Sequence, residues 1–230
     1  MFDIESLKIR RKAWLQAANI PKNRRGWELS DCTDVHSTAM KAVTQWIELV
    51  KTGKVIRSND KKCGYGLLLQ GSPGHGKTTL CLSIIQELIK EAPVESFSVT
   101  DGSTLIKPCY FITFNDLLEL KGRLMGEDAT EEDFKLQLGI LGNSDTDAYN
   151  VRVLVIDDVG NEHESSSQWQ KNMLHHVLRT RYNNGLPTIV TTNIPLENWR
   201  GRYGDATTSF ASEAFAYLII DSAKGDLRTR

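Results

Sequence analysis

The sequence has no apolar run long enough to cross a membrane and no marked excess of charge of either sign. A membrane-spanning helix needs about 20 successive apolar residues, and no stretch approaches that length. The first residues, MFDIESLKIRRKAW, place acidic residues before basic ones and lack the apolar segment of a secretion signal. The formal net charge of -1 gives no overall attraction to nucleic acid, so such binding has to come from local patches. We therefore expect a cytoplasmic protein with no membrane partner.

Cysteine is scarce as well. The four cysteines are widely separated and never form a C-x-x-C pair, which argues against a zinc site and against a disulfide framework. Hydrophobic residues make up 40% and charged residues 25% of the 230 residues, as is typical of a folded globular protein. A chain of this length buries one sizeable core. One main domain with reduced thiols is therefore expected.

Apolar segments of two kinds alternate along the chain. Short apolar runs, typical of buried strands, lie at 65–70, 109–114, 151–157, 187–193 and 217–221. Segments with helical spacing lie at 4–18, 35–51, 77–90, 115–124, 167–182, 196–203 and 208–215. Such an alternation favours a mostly parallel sheet that is covered by helices on both faces. The sequence therefore predicts an α/β fold.

The segment GSPGHGKTT follows the first of these strands and opens a helix. It matches the P-loop pattern G-x-x-x-x-G-K-T without substitution, in the strand–loop–helix context that the pattern requires. Its glycines let backbone N–H groups face a phosphate, and the N-terminus of the helix adds positive potential. Lys77 is expected to reach the β and γ phosphates of ATP, and the hydroxyl of Thr78 to ligate Mg²⁺. The predicted nucleotide-binding residues are Gly71, Ser72, Pro73, Gly74, His75, Gly76, Lys77, Thr78 and Thr79, with His75 counted only as a loop position.

Two acids and one amide end two later strands. The run VLVIDDVG carries Asp157 and Asp158 at the carboxyl edge of its strand, where open parallel sheets bind ligands. Asp157 is expected to hold Mg²⁺, directly or through water, and Asp158 to polarise an attacking water molecule. Asn193 ends the strand TIVTTN; its amide either orients that water and senses the γ phosphate, or forms a turn before the next proline. The set predicts metal-assisted phosphoanhydride hydrolysis with Lys77, Asp158 and Asn193 as catalytic residues.

The order and spacing of these motifs resemble those of a known family. The segments GSPGHGKTTL, VLVIDDVGNE, SQWQKNMLHHVLRTRYNNG and LPTIVTTN look like the AAA+ core of the DnaC/DnaI helicase loaders and of the related IstB-like transposition ATPases. ANIPKNRRGWELSDC resembles the leading segment of those cores. The resemblance implies a P-loop NTPase core of the AAA+ (ASCE) type with a parallel five-stranded sheet in the order 5-1-4-3-2. It also implies that Asp157 and Asp158 are the Walker B acids and Asn193 is sensor 1. We divide the chain accordingly into a short basic helix, 1–20, and an AAA+ core, 21–230.

The resemblance also implies partners. Family members assemble through the nucleotide interface, bind single-stranded DNA and act on a hexameric replicative helicase. The family places basic side chains toward a pore on the helix NDLLELKGRL, where Lys121 and Arg123 are the candidates for DNA contact. The alternative is a solvated helix end, whose cations suit the C-terminus of a helix. The stretch KIRRK within 1–20 either docks the client protein or forms a solvated face.

The C-terminal part departs from the family pattern. In the family, the helix after sensor 1 carries an arginine that reaches a neighbouring subunit's γ phosphate, and our match puts Phe215 at that position. Such an arginine supplies about 10³–10⁵ in rate, so we expect either slow hydrolysis by the isolated protein or a substitute among Arg200, Arg202 and Arg228. The nine residues after Asp221 are too few for a C-terminal helical lid. The pattern resembles that of phage-encoded loader-like proteins, which suggests a phage origin.

Three functions remain open at this point. The first is an ATPase that loads or remodels a replicative helicase in DNA replication and binds single-stranded DNA. The second is an IstB-like ATPase that helps a transposase. The third is a nucleotide-dependent adaptor with negligible hydrolysis, which Phe215 favours. A small-molecule kinase is less favoured, because no acceptor-binding signature accompanies the P-loop.

Overall fold

A parallel sheet of five strands lies at the centre of the structure, a computed structural model that describes residues 4–33, 35–53, 56–57, 61–99, 102–162 and 168–221. In chain order the strands are β1 (Gly66–Gln70), β2 (Cys109–Thr113), β3 (Val153–Val159), β4 (Thr188–Thr192) and β5 (Phe215–Ile219). They lie in the order β2-β3-β4-β1-β5, and each neighbouring pair is parallel. Read from the other edge this is 5-1-4-3-2, so the predicted strand order is confirmed. Residues 56–57 and 61–62 form a separate short antiparallel pair.

Helices cover both faces of the sheet. In the described ranges the α-helices are α1 (Ile4–Ala17), α2 (Ser37–Lys51), α3 (Lys77–Glu91), α4 (Phe114–Leu124), α5 (Glu131–Leu141), α6 (Gln168–Asn183) and α7 (Trp199–Ala214). Helices α1 to α3 share one apolar core with the sheet, and α4 to α7 share a second core on the other face. None of the helices in these ranges has both the length and the apolarity that crossing a membrane requires.

Successive side chains of β3 lie alternately in the first and the second core. Val153 and Val155 belong to the first core, whereas Leu154 and Ile156 belong to the second, and all four are fully buried. Neighbouring side chains of a strand point to opposite faces, so a strand covered on both faces needs an apolar residue at every position. This requirement explains the unbroken apolar run that precedes the two acids.

Helix α1 is built into the first core. Trp14 is 2% exposed, its ring packs edge-on against Phe97 at 5.4 Å between centroids, and its indole N–H donates to the carbonyl oxygen of Leu105 at 2.8 Å. After the helix, the carbonyl oxygen of Ala18 accepts from the backbone N–H of Phe111 in the edge strand β2. A sheet edge satisfied in this way is protected from pairing with other chains. Residues on both sides of the domain boundary predicted at residue 20 therefore pack in one core. Docking of a client protein by α1 stays a prediction.

The C-terminal region contains its predicted elements with shifted bounds. The stretch α7 consists of two helical segments that meet at a kink at Gly204, whose φ is 85° and ψ is 166°, so the two predicted short helices are present. Strand β5 begins at Phe215, two residues before the predicted start. Phe215 is 6% exposed, and its ring lies so close to Gly66 of β1 that a side chain at position 66 would collide with it. Phe215 therefore faces the interior of the fold. The absence of a trans-acting arginine at this position stays a prediction.

Candidate nucleotide-binding site

The P-loop connects β1 to α3 at the carboxyl edge of the sheet. Gly74 and Gly76 have φ values of 82° and 84°, in the left-handed region that residues with a side chain rarely adopt. Helix α3 begins directly after Gly76, at Lys77. The predicted glycine loop is thus present, and it turns through conformations that favour glycine.

The first glycine of the loop has a different role. A Cβ atom at Gly71 would collide with the carbonyl oxygen of Ile220, just after β5. The imidazole Nδ1 of His75 lies 3.0 Å from the carboxylate of the next residue, Asp221. Gly71 and His75 therefore join the P-loop to the end of β5, which is a structural role for both.

The ammonium group of Lys77 lies at the centre of the loop, and the residue is 5% exposed. Its Nζ donates to the carbonyl oxygens of Gly71 and Ser72, at 2.8 and 2.9 Å, and to Oδ1 of Asn193 at 2.7 Å. The Nδ2 group of Asn193 donates to Oδ1 of Asn161 at 3.2 Å. The side chain of Asn193 thus lies in the site, in direct contact with the P-loop lysine.

Thr78 and Asp157 meet at the same edge of the sheet. The hydroxyl of Thr78 donates to the two carboxylate oxygens of Asp157 at 3.0 and 3.2 Å. Burial raises the pKa of Asp157 above its ordinary value; a hydrogen bond from Thr191 opposes this rise, and the charge of Asp158 adds to it. A nearby cation favours the ionised form of such a carboxyl group. Hydroxyl and carboxylate oxygens are ligands that Mg²⁺ prefers, so this pair fits a magnesium ion.

A β-bulge in β3 positions the two acids. The strands β3 and β4 are paired on either side of them, but Asp157 and Asp158 together lie opposite the single residue Thr191. The hydroxyl of Thr191 donates to Oδ1 of Asp157 at 2.5 Å and accepts from the backbone N–H of Asp158 at 2.9 Å. Asp158 has a φ of 60°, which is uncommon for a residue other than glycine. The bulge breaks the alternation of a regular strand and so leaves the buried Asp157 beside Thr78 while Asp158 lines the cleft.

Thr191 was not among the residues that the motifs predicted. The signal in the sequence is a pair of adjacent threonines, Thr191 and Thr192, at the end of a strand that also begins with a threonine. Both are fully buried, and buried hydroxyl groups in proteins find hydrogen-bond partners. That signal indicates a partner, but it does not say which residue the partner is.

Replacing Thr191 with valine should lower ATP turnover about 10-fold, because the loss of a hydrogen bond worth about 1 kcal/mol releases both acids from their positions. Nucleotide affinity should stay near that of the wild type, since Thr191 does not line the cleft. Steady-state turnover and equilibrium nucleotide titration measure the two effects separately. Thr191→Ser keeps the hydroxyl and should restore turnover; unchanged turnover in the valine variant would contradict this role.

The P-loop, Asp158 and Asn193 line one cleft of about 620 Å³. One wall consists of Pro73, Gly74, His75, Gly76, Lys77, Thr78 and Thr79 together with Asp158, Asn161 and Asn193. The second wall consists of Arg24, Trp27, Asp31, Cys32 and Val35, from the segment before α2. The volume lies within the range of about 300–1,000 Å³ that is usual for small-molecule sites. The second wall was not assigned from the motifs, because it is contributed by a segment some fifty positions upstream of the P-loop.

The candidate arginines for action on a neighbouring subunit differ in their surroundings. Arg202 donates from Nε to the carboxylate of Glu162 at 2.9 Å and from Nη2 to its carbonyl oxygen at 2.6 Å. The same buried carboxylate accepts from the hydroxyl of Tyr203 and the N–H of Gly160. Arg202 is thus engaged within its own fold, and its action on a neighbouring subunit stays a prediction. Arg200 is 77% exposed and pairs with the equally exposed Asp205, and position 228 lies outside the described residues.

The two candidates for DNA contact lie at the end of α4 and do not line the cleft. Arg123 contacts the carboxylate of Asp133 in α5 at 2.9 Å. The hydrogen bond from Arg123 lowers the pKa of Asp133 from its ordinary 3.8 to about 2. Lys121 is half-buried in the last turn of the same helix. DNA binding by these two residues stays a prediction.

Comparison with known proteins supports this description of the fold. Residues 109–214 match the sequence model of a family described as IstB-like ATP binding protein. The solved DnaC helicase loader is 25% identical to this chain, with a TM-score of 0.56 over 87% of this chain and 100% of that one. The solved DnaI is 22% identical, with a TM-score of 0.59 over 88% of this chain and 95% of that one. A structure of the replication initiator DnaA bound to AMPPCP and single-stranded DNA is 15% identical, with a TM-score of 0.54 over 94% of this chain and 51% of that one.

No curated protein has a sequence that matches the chain. The structural likenesses extend over most of its length and share the parallel five-stranded sheet of the AAA+ P-loop NTPases. Residues 109–214 are therefore similar to the IstB-like ATP-binding family, and the chain as a whole has the AAA+ P-loop NTPase fold.

Proposed function

We propose that the protein binds and hydrolyses ATP with Mg²⁺ and uses this reaction to load or remodel a hexameric replicative helicase on single-stranded DNA. The observation that carries the proposal is the direct contact between Lys77 and Asn193 and between Thr78 and Asp157 at one edge of the sheet. The members of the first pair are 116 positions apart in the chain and those of the second are 79 apart. The likeness to the DnaC helicase loader supports a helicase as the client.

Each residue of the site would have the role that its position allows. Lys77 would hold the β and γ phosphates, whose charged oxygens are stronger acceptors than the loop carbonyls it contacts. Thr78 and Asp157 would hold Mg²⁺, which neutralises charge on the phosphates. Asp158 would accept a proton from the attacking water, and Asn193 would orient that water beside the γ phosphate. Catalysis of this kind depends on positioning and on electrostatic stabilisation, with no covalent intermediate.

The proposal also assigns the contacts with partners. Arg200 is the candidate for action on a neighbouring copy, because it is exposed while Arg202 is engaged by Glu162. Self-assembly through the nucleotide interface would bring Arg200 to the γ phosphate of the next subunit. Lys121 and Arg123 are the candidates for single-stranded DNA. Arg123 is paired with the half-buried Asp133, so a DNA phosphate would have to displace that carboxylate.

A second candidate function is that of an ATPase that assists transposition. The match of residues 109–214 to the IstB-like ATP-binding family favours it. The adaptor hypothesis depends on Phe215, which is buried at the start of β5, and the turnover measurement below tests it.

Two measurements on the intact protein test the proposal. The chain should co-purify with a hexameric helicase from its host, in a complex that changes when ATP is replaced by ADP. Turnover per chain should rise with protein concentration and on addition of single-stranded DNA, since an arginine that acts on a neighbouring copy requires assembly. Co-purification with a transposase would favour the second candidate. Absence of turnover under every condition would defeat the ATPase assignment.

A further inference from the structure

The wall of the cleft formed by the segment before α2 carries a cation that the proposed chemistry does not use. Arg24 is half-buried and lines the cleft, and its Nη1 donates to the hydroxyl of Thr79 at 3.2 Å. Thr79 lies in the first turn of α3, two residues after Lys77. Within the described ranges, none of the ion pairs involves Arg24. The guanidinium therefore directs a positive charge at the cleft that no described carboxylate neutralises by direct pairing.

One contact positions the guanidinium of Arg24, and a second set positions its backbone. The guanidinium lies 5.4 Å from the centroid of the Trp27 ring, within the range of a cation–π contact. The buried side chain of Gln86, in α3, donates to the carbonyl oxygen of Arg24 at 3.1 Å and accepts from the N–H of Gly26 at 2.7 Å. Gln86 thus clamps the segment of Arg24 to the helix that begins at Lys77, so α3 sets the distance between the two cations.

The two cations face different parts of a bound phosphate chain. Lys77 contacts Asn193 and lies near the acid pair, which is where the terminal phosphate has to be for hydrolysis. Arg24 contacts Thr79 instead, on the side of the cleft formed by Trp27. A phosphate chain whose terminal group is at Lys77 therefore places its first phosphate, the one attached to the ribose, beside Thr79 and Arg24.

We propose that Arg24 is a second phosphate-binding cation, which contacts the phosphate next to the ribose of the nucleotide. This inference rests on the proposed nucleotide-binding function. The first phosphate is common to ATP and ADP, so Arg24 strengthens the binding of both by the same factor. Such uniform binding raises affinity without favouring the transition state, and it retains the product ADP as well as the substrate.

The test is calorimetric titration of ATP and ADP, with Mg²⁺, into the wild type and the variant Arg24→Gln. Loss of a charge-assisted contact to phosphate should weaken the binding of both nucleotides about 10-fold or more, with the ratio of the two affinities unchanged. Arg25→Gln is the matched control: it removes the same charge from the neighbouring position, but Arg25 is exposed, donates to the carbonyl oxygen of Ile20 and does not line the cleft. Its affinities should equal those of the wild type.

Provided that the wild type binds nucleotide, two outcomes would overturn the inference. One is that Arg24→Gln binds ATP and ADP with the affinities of the wild type. The other is that only the affinity for ATP falls, which would put Arg24 at the γ phosphate. Failure of the wild type to bind either nucleotide would instead remove the proposed function, and this inference with it. Thermal denaturation reports whether each variant is folded. If Arg24→Gln does not fold, Arg24→Lys, which keeps the charge but loses the planar group over Trp27, should show a smaller loss that is again equal for ATP and ADP.

Discussion

Replacing Lys77 with alanine should weaken the binding of ATP with Mg²⁺ by about 100-fold or more. The ammonium group is nearly buried among loop carbonyls and the amide of Asn193, so its donors already point into the phosphate loop. Hydrogen bonds to a charged group are worth about 1.5–3 kcal/mol each. Two of them, to two phosphates, amount to about 3 kcal/mol, which is close to a 100-fold change in the dissociation constant. Titration with a fluorescent ATP analogue measures this loss.

The same helix provides a control for Lys77. Lys90 lies near the other end of α3, where its Nζ pairs with the exposed Glu28 at 3.0 Å. Lys90→Ala removes an equal charge far from the loop and should leave nucleotide affinity unchanged. A folded Lys77→Ala variant with undiminished affinity would show that the phosphate site has been assigned to the wrong residues.

Replacing Arg181 with methionine should lower the free energy of unfolding by about 4 kcal/mol. Arg181 is fully buried in α6 and joins the end of α5 to the beginnings of β3 and β4. Its guanidinium donates to the carbonyl oxygens of Ile140, Val151, Arg152 and Pro187 and to the hydroxyl of Thr188. Methionine keeps most of the volume but leaves these buried acceptors without a donor, at about 1–3 kcal/mol for each group left unsatisfied.

The expected loss is smaller than the sum of those terms because burying the arginine is itself costly. Burial lowers the pKa of Arg181 to about 9, so the group is still charged at neutral pH. Removing a buried charge recovers part of its desolvation cost, which offsets some of the lost hydrogen bonds. A net value of about 4 kcal/mol is in the upper range for single substitutions and has a named cause, the set of unsatisfied carbonyls.

Urea denaturation measures the effect, and Arg179→Met is the control. Arg179 lies on the same helix but is exposed, and its guanidinium lies 5.3 Å from the centroid of the Phe210 ring. An exposed cation–π contact contributes about 0.5–1 kcal/mol, so this variant should be only slightly destabilised. A destabilisation below about 1 kcal/mol in Arg181→Met would mean that water satisfies the carbonyls when the guanidinium is removed.

Local features of the site followed from the sequence because they depend on neighbours in the chain. The spacing of Gly71, Gly76 and Lys77 requires only a strand, a tight turn and a helix in succession. The N-cap of α4, outside the site, also depends only on neighbours in the chain. The hydroxyl of Thr113 accepts from the N–H of Asp116 at 3.1 Å, as a spacing of three residues favours. The strand order was implied by the resemblance to the helicase loaders, and the structure confirms it.

The partners of these local features could not be found in the same way. Thr191 meets both acids only because a bulge shifts the register of β3 against β4. Arg24 reaches the cleft only because Gln86 ties its segment to α3. From the sequence, Arg202 is a candidate for contact with a neighbouring subunit. In the fold its guanidinium donates to the buried carboxylate of Glu162, in the loop after β3.

The sequence by itself determined that a phosphate loop, a pair of acids and an amide stand at the ends of three strands, since the carboxyl ends of parallel strands meet at one edge of a sheet. Only the tertiary structure decided which distant side chains complete that edge, which arginines are consumed inside the fold, and that Phe215 faces the core. The physical reason is that strand register and the packing of segments far apart in the chain depend on the whole assembled core. A local pattern of residues does not encode them.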